Sequence, residues 1–319
     1  MKNALLFRLG GLGDLLVALP AISLIRKTFP SSCLTLVCRE EYGALLQGAR
    51  IVNRLIRGDS LTLLPLFSSS AAPATELTEW LRGYDLVMGW MHGEKKDALE
   101  KGLAAASIPG EVSIFYYPAQ SSEQISRFFF HQTSEALIKR QPSSFTFEEC
   151  AQLPPTPLKM EGGRRIKEKP EGKFVIIHPG SGSEKKRWPL QRFLEIGERL
   201  GQKGIKGAVV TGEGELRITA LIEKTSLPPG WSWLHSPSLH TLSGLLQETD
   251  LYLGNDSGIT HLAAVCGTEI VALFREEFVP AWLPYGRVHL LSAGSLGEIS
   301  VEAVWKTVLG ALRLSEIPF

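Results

Sequence analysis

The sequence predicts an α/β protein made of two doubly wound domains, and three observations predict it. Short apolar segments alternate with helical patterns along nearly all 319 residues. The strand segments are largely apolar, as expected of parallel strands covered on both faces. The composition also breaks once, between about residues 151 and 173. There AQLPPTPLKMEGGRRIKEKPEGK carries four prolines and three glycines without apolar periodicity, so it reads as a linker. The break divides the chain into domains of residues 1–155 and 156–319. Each opens with a strand that runs into a glycine-rich turn, the arrangement of a Rossmann-like domain. Parallel sheets facing across a central cleft are the expected architecture.

In the first domain the expected strands are residues 4–9, 34–38, 51–56, 85–90 and 112–116, with helical spacing over 14–28 and 124–140. In the second they are 174–178, 207–211, 231–235, 250–254 and 269–274, with helical spacing over 189–203, 215–225 and 257–266. Residues 301–314 carry Val304, Val308 and Leu312 at every fourth position. They form a helix expected to pack back onto the first domain.

Composition narrows the function. Lys and Arg total 34 against 33 Asp and Glu, a net charge of +1, so no basic field exists for nucleic acid. Cys33 and Cys38 share one strand, about 16 Å apart at roughly 3.3 Å per residue, beyond the reach of a disulfide. Cys150 and Cys266 complete no metal pattern, and a reduced cytoplasmic protein is expected. Arg8 and Asp14 interrupt the apolar N-terminus, and the clean run 15–25 is shorter than the roughly 20 residues of a membrane span. The cluster Arg164, Arg165, Lys167 and Lys169 reads as a solvated linker, with attraction to an anionic membrane surface as the alternative.

Four loops that follow strands carry the chemistry, because ligands of open parallel sheets bind beyond the carboxyl ends of strands. Arg8-Leu9-Gly10-Gly11-Leu12-Gly13-Asp14 ends the first strand and opens a helix. Counting from Gly11 and Gly13, the third glycine of a dinucleotide fingerprint falls on Leu16, and no Gly-Lys-Ser/Thr follows, so neither a dehydrogenase nor a Walker loop fits. Asp14 has two readings: a helix N-cap, stabilising by about 1 kcal/mol, or a carboxylate at the cleft edge that takes a proton. HPGSGSEKKRWP, residues 178–189, joins hydroxyls, bare amides and three cations directly after a strand, a combination suited to phosphate.

GNDSGITHLAA, residues 254–264, ends a strand and starts a helix that Asp256 or Ser257 caps, its free amides directed at an anion. Gly258, Ala263 and Ala264 let that helix pack closely, and His261 is a polar group near its start. In Thr211-Gly212-Glu213-Gly214-Glu215, either glutamate could accept ribose hydroxyls or simply favour the helix dipole. The second domain therefore suits a nucleotide diphosphate. No Asp-x-Asp occurs anywhere to anchor a divalent metal.

These segments, in this order, resemble glycosyltransferase family 9, best known for the ADP-heptose:lipopolysaccharide heptosyltransferases. The resemblance lies in RLGGLGD with Leu19-Pro20-Ala21 and Phe29-Pro30 downstream, in HPGSGSEKKRWP and in GNDSGITHLAA. It implies the GT-B fold, with acceptor bound by the first domain and nucleotide-sugar by the second. It implies an inverting, metal-independent transfer of a sugar, heptose in the family's best-known members, from an ADP-sugar to a lipopolysaccharide-core-type glycolipid or oligosaccharide. No cofactor is implied, and the site of action would be cytoplasmic or peripheral on the inner membrane.

By residue, Asp14 matches the general base, with Arg8, Gly11 and Gly13 on the acceptor side. Ser183 and Lys186 match diphosphate contacts; Asp256, Ser257, Gly258, Thr260 and His261 match the donor motif; Glu215, with Glu213 two positions away, matches the ribose acid. Residues 90–115 lack the Gln- and Arg-containing acceptor pattern of the heptosyltransferases, which leaves acceptor and sugar open. Two alternatives stand beside this reading. A sugar-nucleotide epimerase of the same fold would turn over donor alone, and a non-catalytic nucleotide-binding protein would bind ADP without transfer.

Overall fold

The structure, a computed structural model, describes residues 1–67, 75–91, 94–118, 123–155 and 172–314. The chain divides into two compact units, Met1–Gln152 and Leu153–Phe319. The linker cluster Arg164, Arg165, Lys167 and Lys169 lies outside the described residues.

The first unit runs β1 (Asn3–Phe7), α1 (Leu12–Thr28), β2 (Cys33–Cys38), α2 (Glu40–Gly48), β3 (Arg54–Arg57), α3 (Thr75–Leu81), β4 (Leu86–Met91), α4 (Glu94–Ala105), β5 (Glu111–Tyr116), α5 (Ile125–Ile138) and α6 (Phe147–Cys150). Its described strands form one parallel sheet, ordered β3-β2-β1-β4-β5. Central β1 is the apolar run Ala4–Phe7, fully buried between β2 and β4, as a strand covered on both faces must be. Helix α1 is buried around most of its circumference and packs on α5 and α6, which explains its lack of a polar face. Strand β3 begins later than the expected residue 51. The amides of Ile51 and Val52 donate to the Leu46 carbonyl, so these residues close α2 instead of extending the strand.

The second unit runs β6 (Phe174–His178), α7 (Leu190–Gln202), β7 (Lys206–Thr211), α8 (Leu216–Ile222), β8 (Trp231–His235), α9 (Leu239–Glu248), β9 (Leu251–Asn255), α10 (Gly258–Val265), β10 (Ile270–Arg275), α11 (Val279–Trp282), β11 (Val288–Ala293) and α12 (Val301–Leu312). Its sheet is also parallel, ordered β11-β10-β9-β6-β7-β8. The edge strand β11 was not expected from the sequence. Every one of its positions is at least partly exposed, so it lacks the uninterrupted burial signature of the inner strands. Helix α12 places Val304, Trp305, Val308, Leu309 and Leu312 in the second unit's core, packing on α7 and on β9–β11.

All four cysteines are free thiols. Burial pushes Cys38 and Cys266 up to about 12 and Cys150 up to about 11, which keeps these three protonated and chemically quiet. No helix among the described residues is long and apolar enough to cross a membrane.

Candidate functional site

In the first unit, Arg8 sits just beyond β1 and is 1% exposed. Its Nη1 donates to the Trp90 carbonyl (2.7 Å), its Nε to the Asp14 carbonyl (2.6 Å) and its Nη2 to Asp14 Oδ1 (3.0 Å). The Phe129 ring lies 5.4 Å from the guanidinium. Burial lowers the Arg8 pKa to about 10, and the adjacent Asp14 carboxylate offsets part of that fall.

Asp14 is not the N-cap that one reading of the sequence allowed. The helix starts two residues earlier, Gly11 occupies the cap, and Asp14 is the third helical residue. From there its Oδ2 reaches back to accept the Gly11 amide at 2.8 Å, the acidic half of a capping box. One carboxylate oxygen is thus set by Arg8 and the other by Gly11, while the side chain stays 24% exposed. Gly10 makes room for this arrangement, since a Cβ there would lie 2.6 Å from Asp14 Oδ2. Gly13 is the second helical residue and is partly exposed.

Beside Gly10, at the carboxyl ends of β1, β2 and β3, lies a cavity of about 480 Å³. Arg39, Arg57 and Lys95 line it together with Glu40, Glu41 and Asp59. The mixture of donors and acceptors suits a polar, hydroxyl-rich ligand. The sequence did not single out these side chains, because they come from three separate segments.

In the second unit, Asn255 at the end of β9 is fully buried and joins two loops. Its Oδ1 accepts the Trp188 amide (3.0 Å) and its Nδ2 donates to the Pro179 carbonyl (2.9 Å). Ser181 Oγ adds a bond to the Asp256 carbonyl at 2.7 Å. The segments after β6 and after β9 are therefore stitched together along the sheet's carboxyl edge. Asn255 lay inside a recognisable motif, yet nothing in the sequence showed that its amide would bridge to residues 179–188.

Lys186 closes a single 3-10 turn, Glu184–Lys186, and its Nζ lies 2.6 Å from Asp256 Oδ2. The lysine is 27% exposed and the aspartate 7%. Ser183, at the start of the turn, is exposed. Ser257 caps α10: its Oγ accepts the Thr260 amide at 3.3 Å.

The hydroxyl protons around Thr260 can be assigned from their partners. Thr260 Oγ1 donates to the Asn255 carbonyl, so it can only accept from Tyr252 and from Ser257, each 3.1 Å away. The Ser257 proton therefore points into the protein. An anion at this helix start would meet the amides of Gly258 and Ile259, which have no partner within the helix. His261, further along α10, is 5% exposed and stands against the Trp282 ring at 6.3 Å.

Of the two candidate glutamates, the structure brings Glu215 to these loops and leaves Glu213 exposed on the turn. Glu215 Oε2 accepts the Gly212 amide at 3.0 Å, and its Oε1 lies 3.5 Å from His178 Nε2. His178 Nδ1 is 3.0 Å from the Val210 carbonyl, which can only accept, so that nitrogen carries a proton and turns Nε2 toward the glutamate. Glu215 lies directly over Gly180, where a Cβ would be 1.5 Å from Oε1. A larger cavity, about 600 Å³, lies between α7 and the segment 225–231, away from these loops.

Ser183, Lys186, Glu215, Asp256, Ser257, Gly258, Thr260 and His261 all fall on the second unit, and Arg8, Gly11, Gly13 and Asp14 on the first. Among the described residues no cluster of three or more His, Cys, Asp or Glu could hold a metal ion.

Residues 132–293, about half the chain, match the family described as glycosyltransferase family 9 (heptosyltransferase). Three solved structures share the fold at low identity. A family 9 glycosyl transferase from Veillonella parvula has a TM-score of 0.74 at 18% identity, covering 98% of this chain and 97% of its own. The E. coli ADP-heptose LPS heptosyltransferase II has a TM-score of 0.73 at 15% identity, covering 98% and 99%. E. coli heptosyltransferase WaaC, solved with ADP, has a TM-score of 0.69 at 16% identity, covering 97% and 100%. No curated protein matches the chain.

Proposed function

The chain belongs to glycosyltransferase family 9 and is a glycosyltransferase, and from that premise we propose that it moves heptose from an ADP-sugar to a hydroxyl of a lipopolysaccharide-core-type acceptor, with inversion. The observation that carries this reading is the pair of loops bridged by Asn255. They place the Lys186 ammonium and the first amides of α10 along one sheet edge, the donor set a diphosphate requires. Glu215 follows β7, the strand next to β6, about 4.8 Å further along the sheet. There a carboxylate fits the ribose hydroxyls that follow a diphosphate.

Asp14 takes the acceptor's hydroxyl proton as that oxygen bonds to the anomeric carbon, and the bond from that carbon to the ADP oxygen breaks. A single displacement of this kind inverts the centre. Lys186 and the α10 amides stabilise the charge that grows on departing ADP. Asp256 carries only acceptor oxygens, so it serves the donor through Lys186 and not by touching phosphate. The cavity beside Gly10 is where the first unit takes the acceptor. A glycolipid acceptor would be met at a membrane surface, with the protein peripheral to it.

The test is a thermal-shift comparison of ADP-, UDP- and GDP-sugars, followed by transfer assays in excess EDTA. A selective rise with ADP ligands and transfer undiminished by EDTA are expected. A preference for UDP-sugars, with turnover of donor alone, would select the epimerase instead. Loss of activity on chelation and recovery with magnesium would overturn the metal-independent step.

Gly180→Ala offers a separate check on the ribose contact. The methyl group must displace the flexible end of Glu215, leaving the fold intact. A charged hydrogen bond contributes about 1.5–3 kcal/mol, so ADP affinity should fall by about tenfold or more by calorimetry. Unchanged affinity would remove Glu215 from the site.

A further inference from the structure

We propose that Phe278 is a positioning residue for Lys186, holding its ammonium group where a diphosphate meets it; this rests on the donor reading above. Phe278 ends the 3-10 turn Glu276–Phe278, just beyond β10. Lys186 Nζ stands 4.0 Å from the ring centroid, inside the roughly 6 Å over which an aromatic quadrupole attracts a cation. On the same nitrogen, Asp256 Oδ2 lies at 2.6 Å. The two partners differ in what they leave for a ligand. The carboxylate neutralises the ammonium and competes with phosphate for it, whereas the ring attracts the cation without a formal charge and leaves its charge available.

A lysine has a flexible four-carbon stem, and contact with a second partner narrows the positions its ammonium visits. The turn that presents Phe278 is itself tethered. Arg275 Nη2 pairs with Glu277 Oε1 at 3.2 Å, and Arg275 Nε donates to the Gly294 carbonyl at 3.2 Å. The following helix sets Trp282 against His261 of α10. The segments after β6, β9 and β10 thus converge on one lysine, and Phe278 is what the third of them contributes.

The test uses the full chain with Phe278→Leu, Phe278→Tyr, Lys186→Met and the double variant Phe278→Leu/Lys186→Met. Two readouts are taken: the NMR shifts of the Lys186 methylene protons, and ADP affinity by calorimetry. In the wild-type protein those protons should be shifted upfield by the ring current, a shift lost with Leu and kept with Tyr. Phe278→Leu should weaken ADP binding about threefold to tenfold. Phe278→Tyr should restore it, and the Leu substitution should have no further effect once Lys186 is Met.

Absence of the upfield shift in the wild-type protein overturns the contact. An equal loss of affinity with and without Lys186 overturns the positioning role, because Phe278 would then act independently of the lysine, and so does wild-type affinity in Phe278→Leu. Wild-type protein that shows the shift yet binds no ADP overturns the donor reading and leaves the contact standing.

Discussion

Asp14→Asn is expected to lower the rate of sugar transfer by about 10²- to 10⁴-fold, the usual contribution of a positioned general base. Affinity for ADP should stay at the wild-type value, since Asp14 belongs to the first unit and the donor loops to the second. Asn is the informative replacement because of Arg8. That guanidinium is 1% exposed, and Asp14 supplies its counter-ion at 3.0 Å. Removing one partner of a fully buried ion pair costs about 3–5 kcal/mol; with Asp14 24% exposed, solvent reduces that cost here.

Asn keeps an acceptor at only one of the two carboxylate positions, so either the Gly11 amide or Arg8 faces an NH2 donor instead. A modest drop in melting temperature is therefore expected alongside the kinetic loss, and rates should be compared well below both transitions. Near-normal turnover in a folded Asn variant would remove Asp14 as the base. A matching loss of ADP affinity would show that the substitution acts through stability and not through proton transfer.

Lys186→Met should have the second-largest effect, raising the dissociation constant for the ADP-sugar by about 10- to 100-fold and slowing transfer as well. Two causes act together. The diphosphate loses its cation, and Asp256, 7% exposed, is left as an uncompensated carboxylate beside the phosphates. Truncating one member of a buried charge pair costs about 2–5 kcal/mol, much of it from the partner left behind; with Lys186 27% exposed, solvent reduces that cost here. Adding Asp256→Asn to Lys186→Met separates the causes: affinity should recover in part as the repulsion disappears, while the transfer rate stays low. Unchanged kinetics in Lys186→Met would place the phosphate contact elsewhere.

The strands at the centre of each sheet were legible because burial on both faces writes a continuous apolar run, as in Ala4–Phe7 and Val175–Ile177. The features that eluded the sequence are edges and ends. Strand β11 is partly exposed along its length, and Ile51 and Val52, apolar enough for a strand, were taken by the carbonyl of Leu46. The site divides the same way. Loops after strands, their glycines and their charges could be located by local pattern alone. Which of those side chains meet could not.

The sequence by itself determined that this chain has two αβ units and belongs with family 9, and it located the glycine-rich and charged loops that follow their strands, because strand burial, glycine turns and helix starts depend on neighbouring residues. Tertiary structure decided the rest. It set Asp14 as the third residue of its helix, gripped by Arg8, and laid Glu215 against His178 and Gly180 while leaving Glu213 exposed. It bridged two loops through Asn255 and placed Phe278 over Lys186. The physical reason is that a hydrogen bond or a cation–ring contact acts over a few ångströms in space, and only the packing of the sheet brings residues far apart in the chain within that reach.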